Sequence, residues 1–125
     1  VDQQLIAVAV VRGPHGVLVG RRADGIPLWV FAGGKVEQGE TPAAAAVRET
    51  AEETGLVVDV VTEIGRRRHP RTGRLMVYVA CRPVGEVEPV AAPEELAEVR
   101  WVSPVELSEL MPDLFGPVRE YLGEE

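Results

Sequence analysis

The chain has 125 residues, 46% of them hydrophobic and 26% charged, and a formal net charge of −7. That length and composition suit one domain, residues 1–125, with a core that needs no disulfide or structural metal. The acidic balance argues against general affinity for nucleic acid polymers, the apolar runs are too short for a bilayer span, and the lone Cys81 excludes a disulfide framework or a thiolate metal site. No signal-peptide pattern opens the sequence, so the expected location is cytoplasmic, with no membrane partner.

In chain order, residues 4–12 are apolar and β-rich, Pro14-His15-Gly16 is a turn, and residues 17–22 alternate like a returning strand. A turn at Asp24-Gly25-Ile26-Pro27 leads to a short buried strand at 28–31. Gly33-Gly34 follows, read as a flexible pair where backbone can approach a ligand. The next helix is punctuated at both ends, by Thr41 as N-cap, Pro42 at the first helical position and Gly55 just past the last turn. Ala43, Val47, Thr50 and Thr54 form its small packing face. Residues 56–64 and 75–81 read as a hairpin closed around Pro70-Arg71-Thr72-Gly73. Residues 85–95 are a loop and 99–102 a strand. Ser103-Pro104-Val105-Glu106 is a capping box, and 117–122 a last helical turn or two. These elements predict an α/β fold with a mixed sheet sandwiched between helices.

Within the helix, Glu49 and Glu53 are four residues apart and Glu49 and Glu52 three apart. At about 100° per residue the three carboxylates fall within an arc of roughly 100° on one face. Like charges at that spacing repel by a few tenths of a kcal/mol per pair. A solvated acidic face is one reading; a site for a hard cation is the other. A half-open cluster of oxygen donors suits Mg²⁺ better than Zn²⁺.

The surrounding residues separate these readings. Gly34, Glu40, Arg48, Glu49, Glu52, Glu53, Gly55 and Leu56 stand at the positions of the Nudix box, which this segment resembles. Thr50 departs from it, standing where a bulky aliphatic residue is usual. With each residue type near 6% usage, seven fixed matches arise by chance with odds on the order of 10⁻⁹ per starting point, so the solvated face gives way. The resemblance implies a Nudix-type α/β/α sandwich and a Mg²⁺-dependent pyrophosphohydrolase of MutT-like type, with Mn²⁺ as a substitute. It implies that Glu49, Glu52 and Glu53 hold metal, joined by the carbonyl of Gly33, with Glu53 and Glu52 as the main ligands and Glu49 a ligand or the general base. Arg48 would orient the cluster through Glu52 or Glu40. A further glutamate before the late Trp-containing strand is expected at Glu95, since Glu98 falls inside that strand.

The same resemblance implies a small-molecule nucleotide substrate. A nucleoside triphosphate such as 8-oxo-dGTP, cleaved to the monophosphate and pyrophosphate, is the first expectation. ADP-ribose or a related nucleotide sugar is the second, with Pro70 at a position where such enzymes carry proline. A nucleotide-sensing module without catalysis is the reading from another class. From Ile64 to Gly85 there is no acidic residue but there are six arginines; of these Arg66, Arg68, Arg71 and Arg74 are candidate phosphate contacts. Lys35, Arg21 and Arg22 are weaker ones. Phe115 falls where such enzymes read the base and offers a stacking face, with Asp113 the nearby polar candidate. A homodimer is an open option, because relatives often dimerise.

Overall fold

The computed structural model describes residues 4–123. Its elements are β1 (Leu5–Gly13), β2 (Gly16–Arg22), β3 (Trp29–Val30), β4 (Ala32–Lys35), α1 (Pro42–Thr54), β5 (Val58–Arg68), β6 (Leu75–Pro83), β7 (Leu96–Val102), α2 (Pro104–Leu110) and α3 (Gly116–Leu122). β1 organises the sheet. It pairs antiparallel with β4 on one side and parallel with β6 on the other, and β5 extends the sheet antiparallel to β6. Its last residues turn into a hairpin with β2, which carries β3 and β7. The sheet is therefore mixed, as expected.

Strand alternation divides the core into two layers. Ala7, Ala9 and Val11 of β1 and Val77, Val79 and Cys81 of β6 meet Ala45 and Ala46 of α1 together with Leu56. Val8, Val10 and Tyr78 face the other way, onto Leu107 of α2 and Val118 and Leu122 of α3. The result is an α/β/α sandwich. Small residues dominate the α1 side, so this helix lies close to the strands. Thr50, the departure from the bulky aliphatic, is fully buried there, and its hydroxyl donates to the Ala46 carbonyl at 2.7 Å. A larger side chain would push the helix outward.

α1 begins and ends as its sequence predicts. The Thr41 side chain accepts from the Ala44 N–H at 3.0 Å, and Gly55 takes the left-handed conformation at φ 76°. The packing face differs in part. Thr50 and Thr54 are buried, but Ala45, Ala46 and Glu53 join them, while Ala43 and Val47 are only half-buried. Elsewhere only Trp29 and Val30 of the expected 28–31 strand pair, since Leu28 is half exposed before β3 begins. The hairpin strands are longer than expected, β5 running on through Arg68, and β7 starts at Leu96 rather than Val99.

Two readings are corrected. Gly33 and Gly34 are not a flexible pair but part of β4, in register with Val8 and Ala7. Phe115, read as a base-stacking face or as core, is half-buried and packs as core on the second layer. Its ring is 4.8 Å from the Tyr78 ring, the Arg67 guanidinium lies 4.9 Å over it, and its edge abuts Gly65. It plugs the layer between α3 and the β5–β6 hairpin. Phe115→Ala should therefore lower stability by about 2–3 kcal/mol in denaturant titration, while leaving the KM for a nucleotide substrate within threefold of the parent.

Candidate active site

The site grows from the contact between α1 and β4. Any side chain on Gly33 would run into the Ala7 carbonyl, and any on Gly34 into the Glu49 carboxyl. These glycines therefore serve close approach: they let the Glu49 and Glu53 carboxyls lie directly on strand backbone. Glu53 is 6% exposed, and Oε1 accepts from the Gly33 N–H at a long 3.4 Å. Its pKa is raised to about 8, first by burial and then by the hydrogen bond to, and charge of, Glu49; the Gly33 N–H opposes the rise and Glu95 adds to it. Two carboxyls in contact cannot both ionise easily, so their titration belongs to the pair.

Arg48 supplies the counter-charge. Nε and Nη2 donate to the two oxygens of Glu40 at 2.7 and 3.1 Å, Nη1 donates to Glu49 at 3.1 Å and to Glu52 at 3.3 Å, and Nη2 also reaches the Lys35 carbonyl at 3.0 Å. Glu40 in turn accepts from the Glu37 N–H. One guanidinium thus ties the loop between β4 and α1 to three carboxylates. Arg48 holds Glu40 below the usual carboxylate range, with the Glu37 N–H helping.

Glu95 arrives through backbone. The α1 carbonyls of Glu53 and Thr54 accept from the N–H groups of Ala92 and Val90, both at 2.9 Å, and the Ala23 N–H donates to the Glu95 carbonyl at 3.1 Å. The loop is thereby stitched across the end of α1, near enough for Glu95 to act on the Glu53 titration. Glu98 lies in β7 and is engaged by Arg21 and Arg100. Arg22 stands close by. Asp24 grips it at 2.7 and 2.8 Å, and Asp24, together with the charges of Glu95 and Glu53, supports its protonated form against partial burial. The role of Asp24 was not foreseen, although an acid two residues after an arginine in a turn is the signal for it.

The other candidates lie apart. Arg66 is held by Glu63 at 2.8 and 3.1 Å, Arg68 donates to the Gly73 carbonyl, and Arg71 and Arg74 are exposed around the hairpin turn. β5 is separated from β4 by β6 and β1. At about 4.8 Å per strand that is roughly 14 Å, so the hairpin arginines are not assembled with the carboxylates. Asp113 is in the exposed segment between α2 and α3, and Lys35 is exposed at the end of β4.

As the side chains stand, no three His, Cys, Asp or Glu residues among those described converge closely enough to hold a metal ion. Glu52 is 58% exposed and turned toward Arg48. The donor set nevertheless fits a hard divalent cation. It is made of oxygens alone, and Glu53, buried against Glu49, has one long backbone hydrogen bond where a positive charge would relieve the repulsion. No helix among the described residues is long and apolar enough to cross a membrane.

Comparison with known proteins assigns the class. Residues 2–122 match the NUDIX domain. The chain is 36% identical over 111 residues to a MutT-like protein of Streptomyces ambofaciens, which is 89% of this chain and 70% of that protein. It is 34% identical over 98 residues to a Bacillus subtilis protein assigned provisionally as an 8-oxo-dGTP diphosphatase, over 78% of this chain and 64% of that one. The chain thus spans a little under two thirds of the Bacillus relative. The fold superposes on a NUDIX hydrolase from Nitrosomonas europaea with a TM-score of 0.80 at 20% identity, over 100% of this chain and 73% of that one. The chain belongs to the NUDIX family, whose members are pyrophosphohydrolases that act with divalent metal ions.

The Glu49–Glu53 pair has a measurable consequence for the metal-free protein. The Glu53 pKa is raised on folding, so the folded state binds more protons than the unfolded state between about 4.5 and 8. Stability should be highest below that window and fall as pH rises through it. Thermal unfolding in EDTA should show Tm dropping by several degrees from pH 5 to pH 8, and Glu53→Gln should flatten the curve. An unchanged slope in that variant would assign the proton to another group.

Proposed function

We propose that this chain hydrolyses a nucleoside triphosphate to the monophosphate and pyrophosphate, with 8-oxo-dGTP among the substrates accepted. Residues 1–125 act as one domain in this reading. The observation that carries it is the buried Glu49–Glu53 pair lying on Gly33-Gly34, with Arg48 and the Glu95 loop closing round it. The name of the Bacillus relative favours a triphosphate over a nucleotide sugar.

In this reading Glu49, Glu52, Glu53, Glu95 and the Gly33 carbonyl hold the divalent cation, for which Mg²⁺ is the choice and Mn²⁺ a substitute. When bound, it screens the charge of the polyphosphate and orients it for attack. The chain supplies the rest. Arg48 keeps Glu49 and Glu52 in register from behind and holds the loop that carries Glu40. Arg22, fixed by Asp24, offers a planar pair of donors to the substrate phosphates from the Glu95 side. Water adds to phosphorus as the anhydride P–O bond breaks, and its proton would pass to Glu49, the glutamate read as a ligand or the general base.

Product analysis tests the reaction: each nucleoside triphosphate, 8-oxo-dGTP and ADP-ribose are incubated with Mg²⁺, and monophosphate, pyrophosphate and ribose 5-phosphate are measured. The expected outcome is monophosphate plus pyrophosphate, abolished by EDTA. Glu53→Gln should keep the fold and cut turnover by roughly 10²–10⁴. An ADP-ribose kcat/KM tenfold above every triphosphate would change the substrate class. Turnover within threefold of the parent in Glu53→Gln would remove Glu53 from the chemistry.

A further inference from the structure

The sheet face turned toward α2 carries a polar constellation that the carboxylate site does not use. Arg21 pairs in register with both Trp29 and Glu98, and Arg100 stands opposite Val19, so these four side chains share the face on which Val17 and Val19 are core. The Arg100 guanidinium carbon lies 4.6 Å from the Trp29 ring centroid. Glu98 fixes that guanidinium, accepting from Arg100 Nε at 3.0 Å with one oxygen and from Arg21 Nε at 3.1 Å with the other. Glu106 of α2 adds an ion pair at 3.6 Å.

A long, flexible side chain is thus pinned by two acids across the face of an aromatic ring. Arg100 still keeps 41% of its side chain exposed, so the stack borders solvent rather than lying within the core. Planar guanidinium groups and aromatic rings are the surfaces on which nucleobases stack. Trp29 is four residues before Gly33, and Arg21 adjoins Arg22, which lies in the field of Glu53 and Glu95. At about 3.3 Å per residue the backbone keeps Trp29 within about 13 Å of Gly33. The stack is on the α2 face and α1 packs on the other, so a nucleotide meeting both would run over the β3–β4 segment.

We propose that Arg100, backed by Trp29 and held by Glu98, is the stacking platform for the substrate base. The inference rests on the reading of the chain as a nucleotide hydrolase and adds how the nucleotide is recognised. Glu98 takes the Nε of both Arg21 and Arg100, and the recognition inferred is through the face of the guanidinium rather than its edge. The substrate class is accordingly nucleotides of either base type, purines ahead of pyrimidines by stacking area.

The test is isothermal titration calorimetry in EDTA with the four nucleoside monophosphates and, as the base-free probe, ribose 5-phosphate. The parent should bind AMP and GMP about tenfold tighter than ribose 5-phosphate. Arg100→Lys keeps the charge and loses the plane; it should erase that advantage and leave ribose 5-phosphate binding unchanged. Trp29→Leu, which removes the backing, should do the same in a weaker form, and thermal unfolding checks that both variants fold. Equal binding of monophosphates and ribose 5-phosphate by the parent, or a parental purine advantage in Arg100→Lys, would overturn the platform. Binding at equilibrium needs no turnover, so a chain that stacks bases through Arg100 yet cleaves no triphosphate would sink the hydrolase reading and leave the platform standing.

Discussion

A carboxyl pressed against strand backbone is the constraint on which the rest of this molecule depends. Glu53 reaches that position because β4 presents two glycines and α1 presents alanines and threonines to the sheet. Each choice alone would be weak. Glycine in a strand costs packing and conformational entropy, and a helix face of small residues buries little apolar area. Together they bring helix and strand close enough for carboxyls to lie on the strand, at the cost of placing two acids in contact. The cluster is thus a local conflict tolerated by a fold whose other layer, built on Leu107, Val118 and Leu122, is ordinary apolar packing. Such local conflicts are where function is expected.

Arg48 makes the conflict tolerable. A surface ion pair contributes at most about 1 kcal/mol, and no single contact of Arg48 need exceed that. Its leverage is geometric. The planar fork meets Glu40 with two parallel bonds and still has donors for Glu49, Glu52 and the Lys35 carbonyl. Lysine, with one point charge, could not span that set. The spacing of Glu40, Arg48, Glu49 and Glu52 in the sequence follows from this, because the loop folds back over about two turns of helix to reach the same guanidinium.

The helix, its caps and the layered architecture were legible in the sequence because they rest on local rules: a Thr-Pro start, a glycine stop and alternation in the strands. The contact between Glu49 and Glu53 follows from the same helical spacing, whereas the turn of Glu52 toward Arg48 does not. Contacts across the sheet were not. Nothing in the order of residues says that β5 lies at the far edge from β4, so the arginines of the hairpin read as one basic surface when Arg66 answers Glu63 and Arg67 covers Phe115. Phe115 read as a stacking surface because its neighbours Tyr78 and Gly65 are distant in sequence. Gly33-Gly34 read as flexible because glycine permits motion and close packing alike, and only the partner across the gap distinguishes them. Trp29 and Arg100 went unremarked because they are seventy-one residues apart and meet through β2.

Charge placement then separates attraction from recognition. The acids at Glu49, Glu52, Glu53 and Glu95 would repel a polyphosphate unless positive charge stood among them, and the chain supplies little of its own there beyond Arg48 and Arg22. Arg48 is already occupied by carboxylates, and in the proposed reading Arg22, held on one edge by Asp24, would meet phosphate beside a bound cation. Affinity for the phosphates would therefore rise and fall with the cation, whereas affinity for the base would depend on a stack that contains no carboxylate of the metal cluster. A nucleotide bound by two such separable terms can lose one and keep the other. Under the proposed reading the metal would govern whether the anhydride is held for cleavage, and the Trp29–Arg100 stack would govern which molecules linger long enough to be cleaved.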